Sequence, residues 1–203
     1  RDGRTVYIDG TLVSDVTKHA AFANVVRSAA ALYDYQAHPD NIEAMTFASP
    51  TSGRRVSRAW QIPRNHQEMV ERRQALARWA GLHGGFLGRS PDHVASALAG
   101  QYAGIETFRA YNERFARNFA NYFEYVRDAD LYLTYVIINP QLDRTRAASE
   151  QEAADVIMRV VDEDSTGLTV RGAKMMGTST IMANEVFVAN LQPLKPDETR
   201  YAV

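Results

Sequence analysis

The segment GRSPDHVA, residues 88–95, places an arginine, a helix-start signal and a histidine within a few positions. Ser90 is a residue type preferred at a helix N-cap, and Pro91 is favoured at the first helical position. The first turn of a helix presents unpaired N–H groups at the positive end of the helix dipole and therefore attracts anions. Arg89 and His93 would flank this turn, so the segment could hold a negatively charged oxygen.

The same residues also fit an ordinary capped helix whose Arg89 and His93 side chains face solvent, because such capping signals are common. On the residues alone, this plainer interpretation is favoured.

Two later segments place polar groups after predicted strands. The segment INPQLDR, residues 138–144, leaves a strand and puts Gln141 and Arg144 on the following loop, where binding groups often lie. Alternatively, Arg144 forms a surface ion pair with Asp143, which is favoured without further context.

The segment GTST, residues 177–180, offers small hydroxyl side chains and closely spaced N–H groups. Such groups suit the polar edge of a flat heterocycle, which carries both donors and acceptors. The alternative is a plain Ser/Thr turn.

Other chemistries lack support in the sequence. There is no GxxxxGK[ST], GxGxxG or GxSxG motif, which disfavours nucleoside triphosphatases, Rossmann dehydrogenases and serine hydrolases. There is no cysteine, and the five histidines form no HxxxH or HExxH pair. We therefore predict no metal site.

The composition is that of a globular protein, with 45% hydrophobic and 23% charged residues among 203. The formal net charge of −1 gives no sign of a nucleic-acid or acidic-membrane partner. No apolar run approaches the roughly 18 residues of a membrane span, and no signal-peptide core follows the charged start. A cytoplasmic location is the default expectation.

Patterning predicts an α+β chain with helices first and strands afterwards. Asp9-Gly10 predicts a hairpin, and residues 45–63 look irregular. Residues 65–83 predict a helix that buries Met69, Leu76 and Ala80, and a single long helix is expected from Ile105 to Val126. Strands follow residue 130, with a second hairpin around residues 165–167. Their small number predicts an incomplete β domain.

Several blocks in order resemble one family over nearly the whole chain. They are VYIDG, VSDVTKHAAFANVVRSAAALYD, MTFASPTSGRRVSRAWQIP, GFLGRSPDHVA, LYLTYVIINPQLDR and VVDEDSTGLTVRGAKMMGTSTIMANEVFV. The chain resembles the oxygenase component of two-component, reduced-flavin-dependent phenol monooxygenases. This family includes the 4-hydroxyphenylacetate 3-hydroxylases and the chlorophenol and nitrophenol monooxygenases.

The resemblance implies an acyl-CoA-dehydrogenase-like architecture. Residues 1–129 would form the N-terminal, mostly helical domain, and residues 130–203 the start of a central β-barrel. The C-terminal four-helix bundle, which also builds a homotetramer in the family, would be absent from this chain.

The resemblance also implies a reaction. Reduced FAD or FMN, supplied by a separate NAD(P)H:flavin reductase, would react with O2 to give a C4a-hydroperoxyflavin. That species would hydroxylate a small phenol such as a halophenol, a nitrophenol or a compound like 4-hydroxyphenylacetate. Where the carbon bears halide or nitro, the substituent would be lost.

Site residues follow from the same resemblance. Arg89 and His93 fall on the motif G-R-[ST]-P-D-[YH], with Arg89 beside flavin and substrate. Tyr135 stands where the 4-hydroxyphenylacetate enzymes have a histidine that contacts the phenol oxygen, and His93 where they usually have tyrosine. These departures point away from 4-hydroxyphenylacetate itself, and the segments SPTSGRRV and LTYVIINPQ resemble the halophenol and nitrophenol branch more closely.

The family's flavin contacts match residues in the two later segments. Gln141 and Arg144 match the loop that approaches the flavin, and the polar edge of the ring would meet Thr178, Ser179 and Thr180. We expect Arg89, Arg144 and Thr178 to converge on one cleft the size of an isoalloxazine ring.

Two other functions stay open. The chain could be a non-catalytic, truncated flavin-binding or assembly module. Less in keeping with the sequence is a CoA-ester dehydratase or dehydrogenase on the same scaffold, because the related dehydratases hold an iron-sulfur cluster with cysteines.

Overall fold

A computed structural model of the chain describes residues 3–143, 145–153, 155–175 and 177–202. Two compact units are present: Arg1–Leu133 with Ile181–Glu185, and Thr134–Thr180 with Val186–Val203. The structure contains both helices and strands, as predicted, but four of its strands lie before residue 58, among the helices. None of the helices in these described ranges is both long enough and apolar enough to cross a membrane.

The first unit is mostly helical. Its strands form two antiparallel hairpins, β1 (Tyr7–Ile8) with β2 (Thr11–Leu12) and β3 (Thr46–Ala48) with β4 (Arg55–Ser57). Its helices are α1 (Ala23–Ala37), α2 (Ile42–Met45), α3 (His66–His83), α4 (Asp92–Ala103), α5 (Ile105–Tyr111), α6 (Glu113–Asp128) and a 3-10 turn at Arg58–Trp60.

The remaining strands are short and lie in pairs. Among the described residues, β5 (Leu133–Val136) pairs with β8 (Glu185–Val188), and β6 (Arg159–Asp164) pairs with β7 (Gly167–Arg171). The β6–β7 pair is the hairpin predicted around residues 165–167, which is therefore confirmed.

The first hairpin is also confirmed. Asp9 and Gly10 have φ values of 48° and 75° between β1 and β2. Positive φ at both central residues matches the twist of the flanking strands.

Residues 45–63 were expected to be mostly loop or irregular extended chain, which was wrong for residues 46–48 and 55–60 because they form β3, β4 and the 3-10 turn. Thr46 lies opposite Ser57 in the β3–β4 hairpin, and the turn between them uses Gly53 at φ 70°. Each strand has only three residues, which is too short to show the alternation that identifies a strand in sequence.

The single long helix is instead two helices separated at Asn112. Asn112 is extended, with φ −159° and ψ 116°, and its side-chain oxygen accepts a hydrogen bond from the Arg114 N–H at 2.9 Å. It therefore caps α6 and ends α5. Tyr111, the last residue of α5, is 82% exposed.

The buried face of α3 also differs from the prediction. Met69 is 59% exposed and Ala80 is exposed, whereas Ala75 and Trp79 are buried. The Trp79 indole N–H donates to the Leu32 carbonyl oxygen at 3.0 Å. The stripe of α3 that carries Ala75 and Trp79 therefore faces the core.

Asp130 links several elements of the first unit just after α6. Its Oδ1 accepts from the Ser57 N–H at 3.2 Å and the Trp60 indole N–H at 3.1 Å, and its Oδ2 from the Gln36 amide at 2.7 Å. The residue adopts φ 49°. Burial raises the pKa of this carboxyl above its ordinary value, although the three donors act in the opposite direction.

Replacing Asp130 tests this arrangement. Asp130→Ala leaves three donors without their acceptor and puts alanine at positive φ, so we expect a loss of about 3 kcal/mol or more in the free energy of unfolding. Asp130→Asn keeps one acceptor and tolerates positive φ, so its loss is about 1 kcal/mol. Chemical unfolding measures both. As a control, Asp34→Ala on the exposed side of α1 should change little; equal losses in all three variants would contradict the assignment.

The raised pKa of Asp130 also predicts a pH dependence. The folded chain keeps this proton to a higher pH than the unfolded chain, whose carboxyl has the ordinary pKa near 3.8. The stability contributed by protonated Asp130 is therefore lost as pH rises through the window above 3.8. Between about pH 4 and about pH 7 the natural chain should lose stability relative to Asp130→Asn, measured by the unfolding midpoints of both proteins. A natural chain that instead gains stability relative to the variant as pH rises would refute this.

Candidate functional site

The turn that carries Arg89 leads directly into α4. Pro91 already has helical angles, φ −55° and ψ −29°, and the His93 N–H donates to the Ser90 carbonyl oxygen at 3.0 Å. The helix begins at Asp92, one residue later than predicted. The Ser90 hydroxyl donates to the Asp92 carboxylate, so a side-chain interaction forms in place of the expected serine cap. Arg89 is partly buried and His93 is exposed.

Tyr132 contacts this turn, and no motif in the sequence pointed to this contact. Its hydroxyl donates to the carbonyl oxygen of Arg89. Its main chain forms two bonds with Asn184: the Tyr132 N–H donates to Asn184 Oδ1 at 2.9 Å, and the Asn184 N–H to the Tyr132 carbonyl oxygen at 2.8 Å. With 4% of its surface exposed, Tyr132 is a buried support beneath Arg89.

In the second unit, the segment at residues 177–180 forms a tight turn. The Thr134 hydroxyl donates to the Thr178 carbonyl oxygen at 2.6 Å, and the Thr180 hydroxyl to the Gly177 carbonyl oxygen at 2.6 Å. Ser179 is buried at φ 72°. The Thr178 side chain is exposed, so of these hydroxyls it is the one presented at the surface of this unit.

Gly177 allows this turn to lie close to β5. A Cβ at Gly177 would lie 2.6 Å from the Tyr135 carbonyl oxygen and 2.7 Å from Val136 Cγ1. Both distances are too short for any side chain, so the turn depends on glycine at this position. Tyr135 itself is partly buried.

The loop after β5 is held at Asn139. The Lys174 ammonium donates to Asn139 Oδ1 at 2.8 Å and to the Ala189 carbonyl oxygen at 3.0 Å, while Asn139 Nδ2 donates to Gln192 at 2.9 Å. Burial lowers the pKa of Lys174. These bonds fix the strand exit, and Gln141 follows it with an exposed side chain.

The predicted site residues fall in both units. Arg89 and His93 flank one turn of the first unit. The second unit contains Tyr135 and Gln141, together with Thr178, Ser179 and Thr180 in a single turn. Arg144 lies outside the described residues. The convergence of these groups on one cleft stays a prediction.

A cavity of about 510 Å³ lies elsewhere in the first unit. Its lining includes Tyr33, Tyr132 and Asn184. Burial raises the pKa of Tyr33 far above its ordinary value, so this phenol stays protonated. Within the described part of the chain, its lining includes neither Arg89 nor His93.

The residues described by the structure contain no group of three or more His, Cys, Asp or Glu side chains arranged to hold a metal ion.

The fold matches solved oxygenase structures. The chain is similar to a crystal structure of the oxygenase component of 4-hydroxyphenylacetate 3-monooxygenase complexed with FAD and 4-hydroxyphenylacetate. The TM-score is 0.83 and the identity 35%, over 96% of this chain and 40% of that one. This chain therefore has the fold of these oxygenase components.

Sequence comparison agrees with the fold. The chain is 39% identical over 184 residues to the 4-hydroxyphenylacetate 3-monooxygenase oxygenase component of Geobacillus sp. (strain PA-9), covering 91% of this chain and 37% of the relative. It is 35% identical over 199 residues to the 4-nitrophenol 2-monooxygenase oxygenase component of Rhodococcus sp., covering 98% and 37%.

A family model described as 4-hydroxyphenylacetate 3-hydroxylase N terminal matches residues 1–203. The chain belongs to this family, as its sequence blocks predicted. It spans a little over one third of the length of these two relatives.

Replacing Gly177 tests the packing of the turn at residues 177–180. Gly177→Ala should destabilise by about 1–3 kcal/mol, because the methyl group meets the main chain of β5. Gly100→Ala is a matched control: Gly100 lies within α4, nothing lies within 4 Å of a Cβ there, and alanine favours helix, so it should stabilise by up to about 1 kcal/mol. Unfolding midpoints measure both, and two changes of the same sign would contradict the packing.

Proposed function

We propose that the protein is the oxygenase component of a two-component monooxygenase that hydroxylates a small phenol with reduced flavin and O2. The supporting observation is the family match over residues 1–203, in which the motif residue Arg89 lies at the entrance to α4. The named activities of the Geobacillus and Rhodococcus relatives support the same reaction class.

The donor set of the second unit fits a flavin. The isoalloxazine edge alternates hydrogen-bond donors and acceptors, and a threonine hydroxyl can serve either. Thr178 presents its side chain at the surface, whereas its carbonyl oxygen is already bonded to Thr134. Gly177 and Thr180 hold the turn shape, so Thr178 and the adjacent main chain would hold the ring edge. The complex of FAD with the solved relative supports reduced FAD as the cofactor, with reduced FMN as the other candidate.

When bound, reduced flavin would activate dioxygen and supply one oxygen atom to the aromatic ring. The chain's own residues would bind the phenol and favour its deprotonated form. Arg89 and the first turn of α4 would stabilise an anionic oxygen, and a phenolate ring is richer in electrons than the neutral phenol. The His93 imidazole and the Tyr135 hydroxyl would donate or accept a hydrogen bond at the phenol oxygen.

We extend the proposal to substrate and partners. His93 and Tyr135 in place of the tyrosine and histidine of 4-hydroxyphenylacetate enzymes favour a halophenol or nitrophenol, with loss of halide or nitrite. A separate NAD(P)H:flavin reductase would supply the reduced flavin. The full-length protein would add the remaining β-barrel and a four-helix bundle to domains divided near residue 130, and would form a homotetramer.

The length of the relatives favours one alternative. This chain spans 37% of each of the two, so residues 1–203 alone could bind flavin without turnover. Flavin titration of this segment beside the full-length protein separates the two cases.

The activity test uses the full-length protein with reduced FAD or FMN, 18O2 and a panel of a chlorophenol, 4-nitrophenol and 4-hydroxyphenylacetate. We expect a hydroxylated product that carries one 18O atom, measured by mass spectrometry. Absence of product from every phenol, with flavin oxidation unaffected by the protein, would refute the proposed function.

Arg89→Ala should lower kcat/KM by about 10- to 100-fold and raise the peroxide formed per flavin oxidised, because a charge-assisted contact to the anion is lost. Arg78→Ala, at an exposed position of α3, is the control and should match the natural protein. An unchanged peroxide yield in Arg89→Ala would remove this residue from the site.

A further inference from the structure

We propose that Tyr132 is a positioning residue for Arg89. Its hydroxyl fixes the turn before α4, and this sets how Arg89 faces the bound anionic oxygen. The inference rests on the proposed function for its effect on turnover, whereas its effect on the turn can be measured separately.

The hydrogen bond from Tyr132 acts on the main chain of Arg89 itself. The Tyr132 hydroxyl donates to the carbonyl oxygen of Arg89 across 43 positions of sequence. That carbonyl belongs to the peptide plane between Arg89 and Ser90, and the next carbonyl, of Ser90, accepts the His93 N–H. One hydroxyl therefore orients the peptide from which both Arg89 and the first turn of α4 continue.

Tyr132 can act as a support because it is itself fixed. Two main-chain bonds with Asn184 hold it from the side opposite its hydroxyl. Asp130, two positions earlier, accepts hydrogen bonds from three other elements. The ring of Tyr132 therefore extends from a rigid base to the Arg89 carbonyl.

A small movement of this turn has a large chemical effect. The arginine side chain is long, so a rotation of its peptide plane displaces the guanidinium by more than it displaces Cα. Misplacement of a catalytic contact by about 1 Å can reduce the rate by about 100-fold. Phenylalanine at position 132 would keep the ring and both Asn184 bonds but would lose the single donor.

Hydrogen exchange measures the positioning independently of flavin chemistry. In Tyr132→Phe of the full-length protein, the amides of residues 88–93 other than Pro91 should exchange about fivefold faster, as expected for the loss of one net hydrogen bond. Tyr122→Phe is the matched control. It also removes one tyrosine hydroxyl, which donates to Glu185 at 2.8 Å in the same 181–185 segment that binds Tyr132. It should leave residues 88–93 unchanged.

Turnover measures the consequence. In Tyr132→Phe we expect kcat/KM for the phenol to fall about tenfold and the peroxide yield per flavin oxidised to rise, with both values near natural in Tyr122→Phe. The double variant Tyr132→Phe with Arg89→Ala should be no worse than Arg89→Ala alone, because a residue that acts through Arg89 has no effect once Arg89 is removed.

Different failures are distinguishable. Unchanged exchange at residues 88–93, or equal acceleration in both tyrosine variants, overturns the positioning role. Faster exchange with natural kinetics and peroxide yield overturns the link to turnover, as does full additivity in the double variant. If the natural protein yields no hydroxylated phenol, the proposed function fails, and the exchange data still decide whether Tyr132 fixes the turn.

Discussion

The partly buried carboxylate of Asp130 connects more elements of the first unit than its local sequence suggests, and the packing around it depends on this side chain. Three donors, from α1, from β4 and from Trp60 in the 3-10 turn, have their acceptor in this one side chain. Because buried donors without partners are costly, the three hydrogen bonds favour packing of these elements around Asp130. The chain direction after α6 is thereby set, and it delivers Tyr132 to Arg89. Asp130, which joins elements of the core, and Tyr132, which contacts the Arg89 turn, thus lie two positions apart in one segment.

Some polar side chains near the candidate site bind the main chain, and others are proposed to contact ligand. The hydroxyls of Thr134 and Thr180 donate to carbonyl oxygens of the turn at residues 177–180, and the Tyr132 hydroxyl donates to that of Arg89. These bonds shape the main chain. The exposed Thr178 and the partly buried Arg89 are the groups positioned by them. Residues that support a site are therefore as specific in their chemistry as those proposed to contact ligand.

Local chemistry determined which features could be predicted from sequence. The hairpin at Asp9-Gly10 was predictable because its signal lies within the turn itself. The break at Asn112 was missed because an apolar stripe continues across it, although asparagine is a capping residue. Arg89 and His93 are proposed as site residues from a local motif and a family resemblance. Tyr132 is not, since its partner lies 43 positions away and a tyrosine in a strand-like run looks like ordinary packing.

The pairing of Tyr132 with Asn184 has a consequence for biosynthesis. The two residues are 52 positions apart, and Ile181–Glu185 belong to the first unit although most of the intervening chain belongs to the second. At about 5–20 residues per second, a ribosome needs about 3–10 s to add that stretch. During this interval Tyr132 has been synthesised, but Asn184, which binds its main chain, has not. The two bonds that hold the Tyr132 main chain therefore form only after a segment translated much later.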